Sequence, residues 1–154
     1  MAQFERYHPI MTAHYQLDWL TQFKLTDINQ LRQQTHAGET VVETADYVNR
    51  QMSTVMQNQA LIWGIQDKAR QQFDGIIGLT QLNDTPDTAT LLLNLTPDAD
   101  AAQVVRELGD HTAAFADKEL HRQTLISSAD DPLKSLLIQN GFALNGTTLQ
   151  RTVD

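Results

Sequence analysis

The strongest periodicity in the chain follows Pro97. There Ala101, Val104, Val105, Leu108, Thr112, Phe115 and Ala116 recur at steps of three and four. Apolar positions at that spacing share one face of an α-helix, so the stretch predicts a long amphipathic helix. Thr96 as cap and Pro97 at the first helical position supply a start, and Gly109 is a local weak point because glycine costs backbone entropy in a helix. An apolar run at residues 89–95 precedes the helix, and Leu125 and Ile126 centre a second run after it. Strand, helix, strand is a crossover, which predicts that the two strands are parallel.

Nearer the start the period drops to two. Tyr15, Leu17 and Trp19 alternate with Gln16 and Asp18, the pattern of a half-buried strand over residues 15–20. Thr26 predicts the cap of a short helix over residues 27–34, striped only by Ile28 and Leu31. Residues 36–43 read as loop. Thr44 then reads as the cap of a clearer helix, whose apolar face carries Val48, Met52, Val55 and Met56. The two methionines suit core packing better than a ligand groove, since the thioether chain fills irregular gaps.

Residues 61–66 and 75–82 add two strands, and with 89–95 they predict a three-strand meander. Asp74-Gly75 closes the first connection and residues 83–87, with Pro86, form the second. Gly64 and Gly78 inside strands predict bulges or close backbone approach. Asp131-Pro132 starts a last helix carrying Leu133, Leu136 and Leu137, which Asn140-Gly141 ends. Residues 142–144 and 147–153 flank Asn145-Gly146 as a hairpin. The order predicts an α+β (mixed α/β) domain with a central mixed sheet.

Composition narrows the function classes. The 154 residues suit one domain spanning 1–154, and hydrophobic content of 41% is enough for a core. No cysteine is present, which removes disulfides, thiolate catalysis and cysteine zinc sites. The net charge of −8 disfavours nucleic-acid binding, which draws on Lys and Arg, and favours cationic substrates. No apolar run is long enough for a membrane span, and no signal peptide opens the sequence, so cytoplasmic residence is the expectation. His8, His14, His36, His111 and His121 show no paired metal-ligand spacing on a helix, and no metal is expected.

Several segments in sequence order resemble the GCN5-related N-acetyltransferase (GNAT) family, in its ribosomal-protein N-terminal acetyltransferase branch. Pro9-Ile10 and Tyr15-Gln16-Leu17 resemble its first strand, and Trp63-Gly64-Ile65 and Gly75-Ile76-Ile77-Gly78 its second and third. Residues 130–142 resemble the segment that ends in Gly-Phe. The resemblance covers most of the chain. It implies a GNAT-like sheet of about six to seven strands flanked by about four helices.

It also implies a site for acetyl-coenzyme A. By that resemblance, backbone of Leu93, Asn94 and Leu95 aligns the thioester arm. Amides of Ala101, Ala102, Gln103, Val104 and Val105 face the pyrophosphate at a helix start, and Asp130 stands near the cofactor. The family's phosphate motif falls on Asp100, Gln103 and Val105, and all three depart from it: a carboxylate replaces Gln or Arg, and larger side chains replace Gly or a small residue. Asp130 stands where Asn is usual, and Leu137 where many members carry a proton-donating Tyr. Asp98 and Asp100 read first as ordinary helix caps.

Asp84, Asp87 and Asp98, near strand ends, are candidate general bases that turn and cap roles also explain. Ser127 and Ser128 either bond a pantetheine arm or end their strand, and Arg106 and Lys134 read as helix surface. No catalytic residue is assigned. The implied function is transfer of an acetyl group to a primary amine, on a small molecule or a protein N-terminus, by a monomer or homodimer. The alternative is a catalytically impaired GNAT-fold binding or regulatory protein that does not use acetyl-CoA.

Overall fold

Alternation is realised in the first long strand. In the computed structural model, which describes residues 3–153, β2 (Tyr15–Trp19) buries Tyr15, Leu17 and Trp19 and turns Gln16 and Asp18 to its other face. It follows β1 (Ile10–Met11). The chain continues through α1 (Leu25–Arg32), α2 (Val41–Met56), β3 (Leu61–Asp67), β4 (Gln72–Thr80), β5 (Thr88–Leu95) and α3 (Ala101–Leu120). It ends with β6 (Thr124–Ser128), α4 (Lys134–Gln139), β7 (Ala143–Asn145) and β8 (Thr148–Thr152).

Among the described residues the result is an α+β, GNAT-like fold with four α-helices and a mixed sheet of eight strands in the order β1-β2-β3-β4-β5-β6-β8-β7. The strand beyond the expected six to seven is β1, whose two residues are too few to leave a period. Two compact units are distinguishable: Met1–Gly78 with Leu93–Ala99, and Leu79–Leu92 with Asp100–Asp154.

In the first unit both predicted helix caps move. α1 starts from Lys24, which makes no side-chain cap, and Thr26 lies inside the first turn. α2 starts from Thr40, whose hydroxyl accepts the Glu43 amide while the Glu43 carboxylate accepts the Thr40 amide. This reciprocal box satisfies two helix-end donors at once and displaces Thr44 as the start. Thr44 is instead fully buried and donates to Glu39 at 2.6 Å, while Asn29 donates to Thr44 at 3.0 Å. Arg32 closes the cluster with a two-point bond to the Glu39 carboxylate at 2.9 and 3.0 Å. The apolar face of α2 is carried by Tyr47, Val48 and Val55, and Met56 is exposed.

Three glycines of this unit mark close approaches. A Cβ on Gly64 would meet the Phe23 ring, and one on Gly78 would meet the Leu61 carbonyl oxygen at 2.7 Å. Gly75 does not close a turn. It lies inside β4 with φ +153°, and a Cβ there would strike the Asn94 carbonyl oxygen. The turn sits earlier, where Gln71 takes φ 55° and its amide donates to the Asp67 carbonyl.

In the second unit β5 and β6 pair in parallel, as the crossover pattern predicts. α3 begins later than the Thr96-Pro97 signal: Asp100 is the cap and Ala101 the first helical residue. Residues 96–99, which belong to the first unit, form a turn instead, closed by the Ala99 amide on the Thr96 carbonyl. The stripe of Val104, Val105, Leu108, Thr112 and Ala116 is buried. Asp131-Pro132 precedes α4 without starting it; the Asp131 carboxylate accepts the Leu133 amide at 2.8 Å, and the helix begins at Lys134. Asn145 pairs with Thr148, so the hairpin turn is Gly146-Thr147, with φ 62° at Gly146. Gly141 ends the α4 segment at φ 98°.

Three outcomes follow for stability. Gly75→Ala should destabilise the protein by roughly 2–4 kcal/mol in denaturant unfolding, because both the dihedral and the Asn94 carbonyl oppose a Cβ. Gly109→Ala, where a Cβ meets only Arg151 Nη1 at 3.8 Å, should stabilise by roughly 0.5–1 kcal/mol. The Arg32 guanidinium, and then the Thr44 hydroxyl, lower the Glu39 pKa from an ordinary 4.5 to about 2. A depressed carboxylate stabilises the fold above pH 4.5 and loses that contribution as pH falls through about 2. Glu39→Gln should therefore be less stable than the parent at neutral pH, with the gap closing toward pH 2.

Candidate functional site

The first unit holds a groove of about 910 Å³. It forms because polar residues of several elements face one way. Alternation in β2 sends Gln16 and Asp18 to its wall, and register places Gln66 of β3 directly opposite Gln16. On α1, Asp27 and Gln30 contribute one turn apart, and Gln34 follows just past the helix end. Phe23 and Phe73 also line it, with ring centroids 5.3 Å apart. Phe23 rests on Gly64, which explains why that strand position carries no side chain. Seven glutamines, three aspartates and Lys24 give the groove its polar character.

Thr96, Pro97 and Asp98 complete the groove, and one arginine fixes that loop. Arg70 contacts both Asp74 carboxylate oxygens at 2.9 and 3.0 Å, Asp67 at 3.1 Å and the Asp98 carbonyl at 3.1 Å. The Thr96 amide donates to the Asp74 carbonyl at 2.9 Å. Asp74 is buried, which raises its pKa against the pull of Arg70. Leu93, Asn94 and Leu95, the last residues of β5, belong to this unit; Leu93 is buried and Asn94 exposed.

The second unit holds the remaining sequence candidates. Its parallel register covers Thr88–Thr124, Ala89–Leu125 and Thr90–Ile126. It does not extend to Leu91 and Leu92, although β6 continues against β8 to Ser128. β5 and β6 thus part after three pairs.

At the start of α3 the Asp100 carboxylate accepts the Gln103 amide at 3.1 Å. The Ala101 and Ala102 amides have no partner among the described residues. Val104 and Val105 are fully buried, so their side chains belong to the core. The departure at Val105 is therefore a packing residue.

The other candidates have structural partners. Ser127 donates to Asp131 at 3.3 Å, and the Ser128 hydroxyl accepts the Asp130 amide at 3.1 Å. Asp130 is exposed and Leu137 is buried in α4. Asp84 and Asp87 lie in the turn before β5, whose carbonyls at Leu82, Thr85 and Thr88 are bonded by Arg122. Arg106 is exposed and Lys134 half-buried. Burial lowers the pKa of His111, whose Nε2 has no partner. Among the described residues no group of three or more His, Asp or Glu is placed to hold a metal ion, and no helix is long and apolar enough to cross a membrane.

No protein-family model and no curated protein matches the chain. Solved structures do. A Vibrio cholerae structure assigned as a ribosomal-protein-serine acetyltransferase aligns at TM-score 0.78 and 15% identity, over 94% of this chain and 97% of that one. Spermidine N-acetyltransferase from the same organism, in complex with CoA and spermine, aligns at TM-score 0.74 and 14% identity, over 92% and 96%. The microcin C7 self-immunity acetyltransferase MccE, in complex with acetyl-CoA and AMP, aligns at TM-score 0.73 and 11% identity, over 92% and 94%. At these identities the likeness is one of fold.

Arg70 offers a direct test of how the groove loop is held. Arg70→Ala should lower the unfolding temperature by several degrees, because it strands the buried Asp74 carboxylate. Adding Asp74→Asn should restore part of the loss, and amide exchange at Thr96 should accelerate in the single variant.

Proposed function

We propose that the protein is an acetyl-CoA-dependent N-acetyltransferase acting on a primary amine. The parting of β5 from β6 after Thr90 and Ile126 carries this reading. An extended pantetheine arm can bond a strand edge only where the neighbouring strand has withdrawn. The fold shared with structures that hold CoA or acetyl-CoA supports the same reading.

In the reaction a neutral amine attacks the thioester carbonyl carbon. The C–N bond forms, the C–S bond breaks, and the proton lost by the amine ends on the departing thiolate, giving the thiol. Orientation and a polarising amide can supply much of the rate, so Leu137 in place of a tyrosine does not forbid it. We assign the backbone of Leu93, Asn94 and Leu95 to the thioester arm. The free amides of Ala101 and Ala102, followed by Gln103, Val104 and Val105, are assigned to the pyrophosphate, with Asp130 nearby.

A second reading, a binding or regulatory protein that does not use acetyl-CoA, draws on Asp100. Its carboxylate already occupies the Gln103 amide and carries the same charge sign as a pyrophosphate. Asp100→Ser separates the two readings, because serine retains a capping oxygen and removes the charge. Calorimetric titration with acetyl-CoA should show binding to the parent that depends on the pyrophosphate, tested with pantetheine-truncated analogues. Asp100→Ser should bind about two- to five-fold tighter. No heat from either protein at millimolar ligand would favour the second reading.

A further inference from the structure

We propose that β7, the outer edge strand of the second unit, pairs with β7 of a second copy of this chain. The inference rests on that edge alone and does not depend on acetyl-CoA. β7 ends the strand order, with β8 on one side and, among the described residues, no strand on the other. A bare edge offers unpaired amides and carbonyls, and proteins usually blunt it with charge or proline. This edge has neither. Residues 135–150 contain no Asp, Glu, Lys, Arg or Pro, in a chain whose net charge is −8. All three β7 residues are exposed. Among the described residues this unit exposes two large apolar side chains, Ile138 at 44% and Leu144 at 55%, and both fall in that stretch.

The free bonding groups suit a second copy of the same edge. Asn145 and Thr148 close the two-residue hairpin, and Leu144 faces Leu149. Antiparallel pairs alternate between bonded and non-bonded, and the pair that closes a two-residue loop is bonded. Leu144 is therefore at a non-bonded position, and its amide and carbonyl both point away from β8. One outward donor and one outward acceptor on a single residue are complementary to themselves across a two-fold axis. Each Leu144 amide then donates to the Leu144 carbonyl of the other copy, and the two side chains meet on one face.

Charge selects the same occupant. Two copies of a chain with net charge −8 repel each other, so they meet best where neither carries charge. An acidic or basic partner would find no opposite charge along this stretch. The charges that flank it are Lys134 and Arg151, and Arg151 is already paired with Asp110 at 2.8 Å. Three residues make a small contact, so the dimer is weak, with a Kd of roughly 10–100 µM.

Sedimentation equilibrium of the whole protein from about 1 to 500 µM tests this. The parent should pass from monomer to dimer over that range. Leu144→Lys sets like charges face to face across the axis and should weaken the dimer about ten-fold or more. Met11→Lys, the same kind of change on β1 at the other end of the strand order, should dimerise like the parent. The chain has no cysteine, so Leu144→Cys adds one thiol per copy. In the proposed pairing the two Cα atoms lie about 5.5 Å apart, within disulfide reach. Mild oxidation should give a covalent dimer of Leu144→Cys, while Met11→Cys stays monomeric under the same treatment. Unfolding curves confirm that each variant folds. The proposal is overturned if the parent remains monomeric at the highest concentration or forms an assembly larger than a dimer. It is also overturned if Leu144→Lys dimerises like the parent, if Met11→Lys weakens the dimer equally, or if Leu144→Cys does not cross-link.

Discussion

Two parallel strands cannot be joined by a tight turn, because the chain must return the full length of the ladder before it pairs again. The three residue pairs between β5 and β6 impose that return, and the twenty residues of α3 provide it. The requirement shapes α3 in detail. Its start needs a cap, supplied by Asp100. One face must cover apolar surface, so Val104, Val105, Leu108 and Ala116 are buried. Its end must release the chain, which His121 does in the left-handed conformation at φ 57°. Beyond the third pair β5 and β6 no longer pair.

The polar residues of this unit are mostly committed to structure. Ser127 and Ser128 organise the turn after β6, Asp131 closes the approach to α4, and Arg122 holds the turn before β5. Among the described residues the main-chain amides of Ala101 and Ala102 have no partner, and β5 does not pair with β6 beyond Thr90. That inventory fits a reaction driven by orientation more than by side-chain acids and bases. On the proposed reading Asp100 is the main electrostatic obstacle, since one carboxylate serves as helix cap and opposes an anionic ligand.

Much of the fold was legible in the sequence because its signals are local periods. The alternation around Leu17, the stripe from Val104 to Ala116 and the strand-helix-strand order needed only neighbours in the chain. Helix starts were less legible. Thr26, Thr44 and Thr96 are all plausible caps, yet the caps used are Lys24, Thr40 and Asp100. At α2 the deciding feature was visible, the Thr-x-x-Glu spacing of Thr40 and Glu43. At Gly75 it was not, since the need for glycine arises from Asn94, nineteen residues away. The groove was missed for the same reason. Its residues come from β2, the segment around α1, β3, the start of β4 and the loop after β5.

The claim at the centre of this account is chemical transfer, and the most direct measurement is amine-dependent release of free coenzyme A thiol from acetyl-CoA. Thiol release should be slow without an amine. It should rise with a primary amine that the protein accepts, and mass spectrometry should find one acetyl group on that amine per thiol released. A protein that binds acetyl-CoA yet releases no thiol across small amines and peptide N-termini would contradict the account and make this fold a binding module.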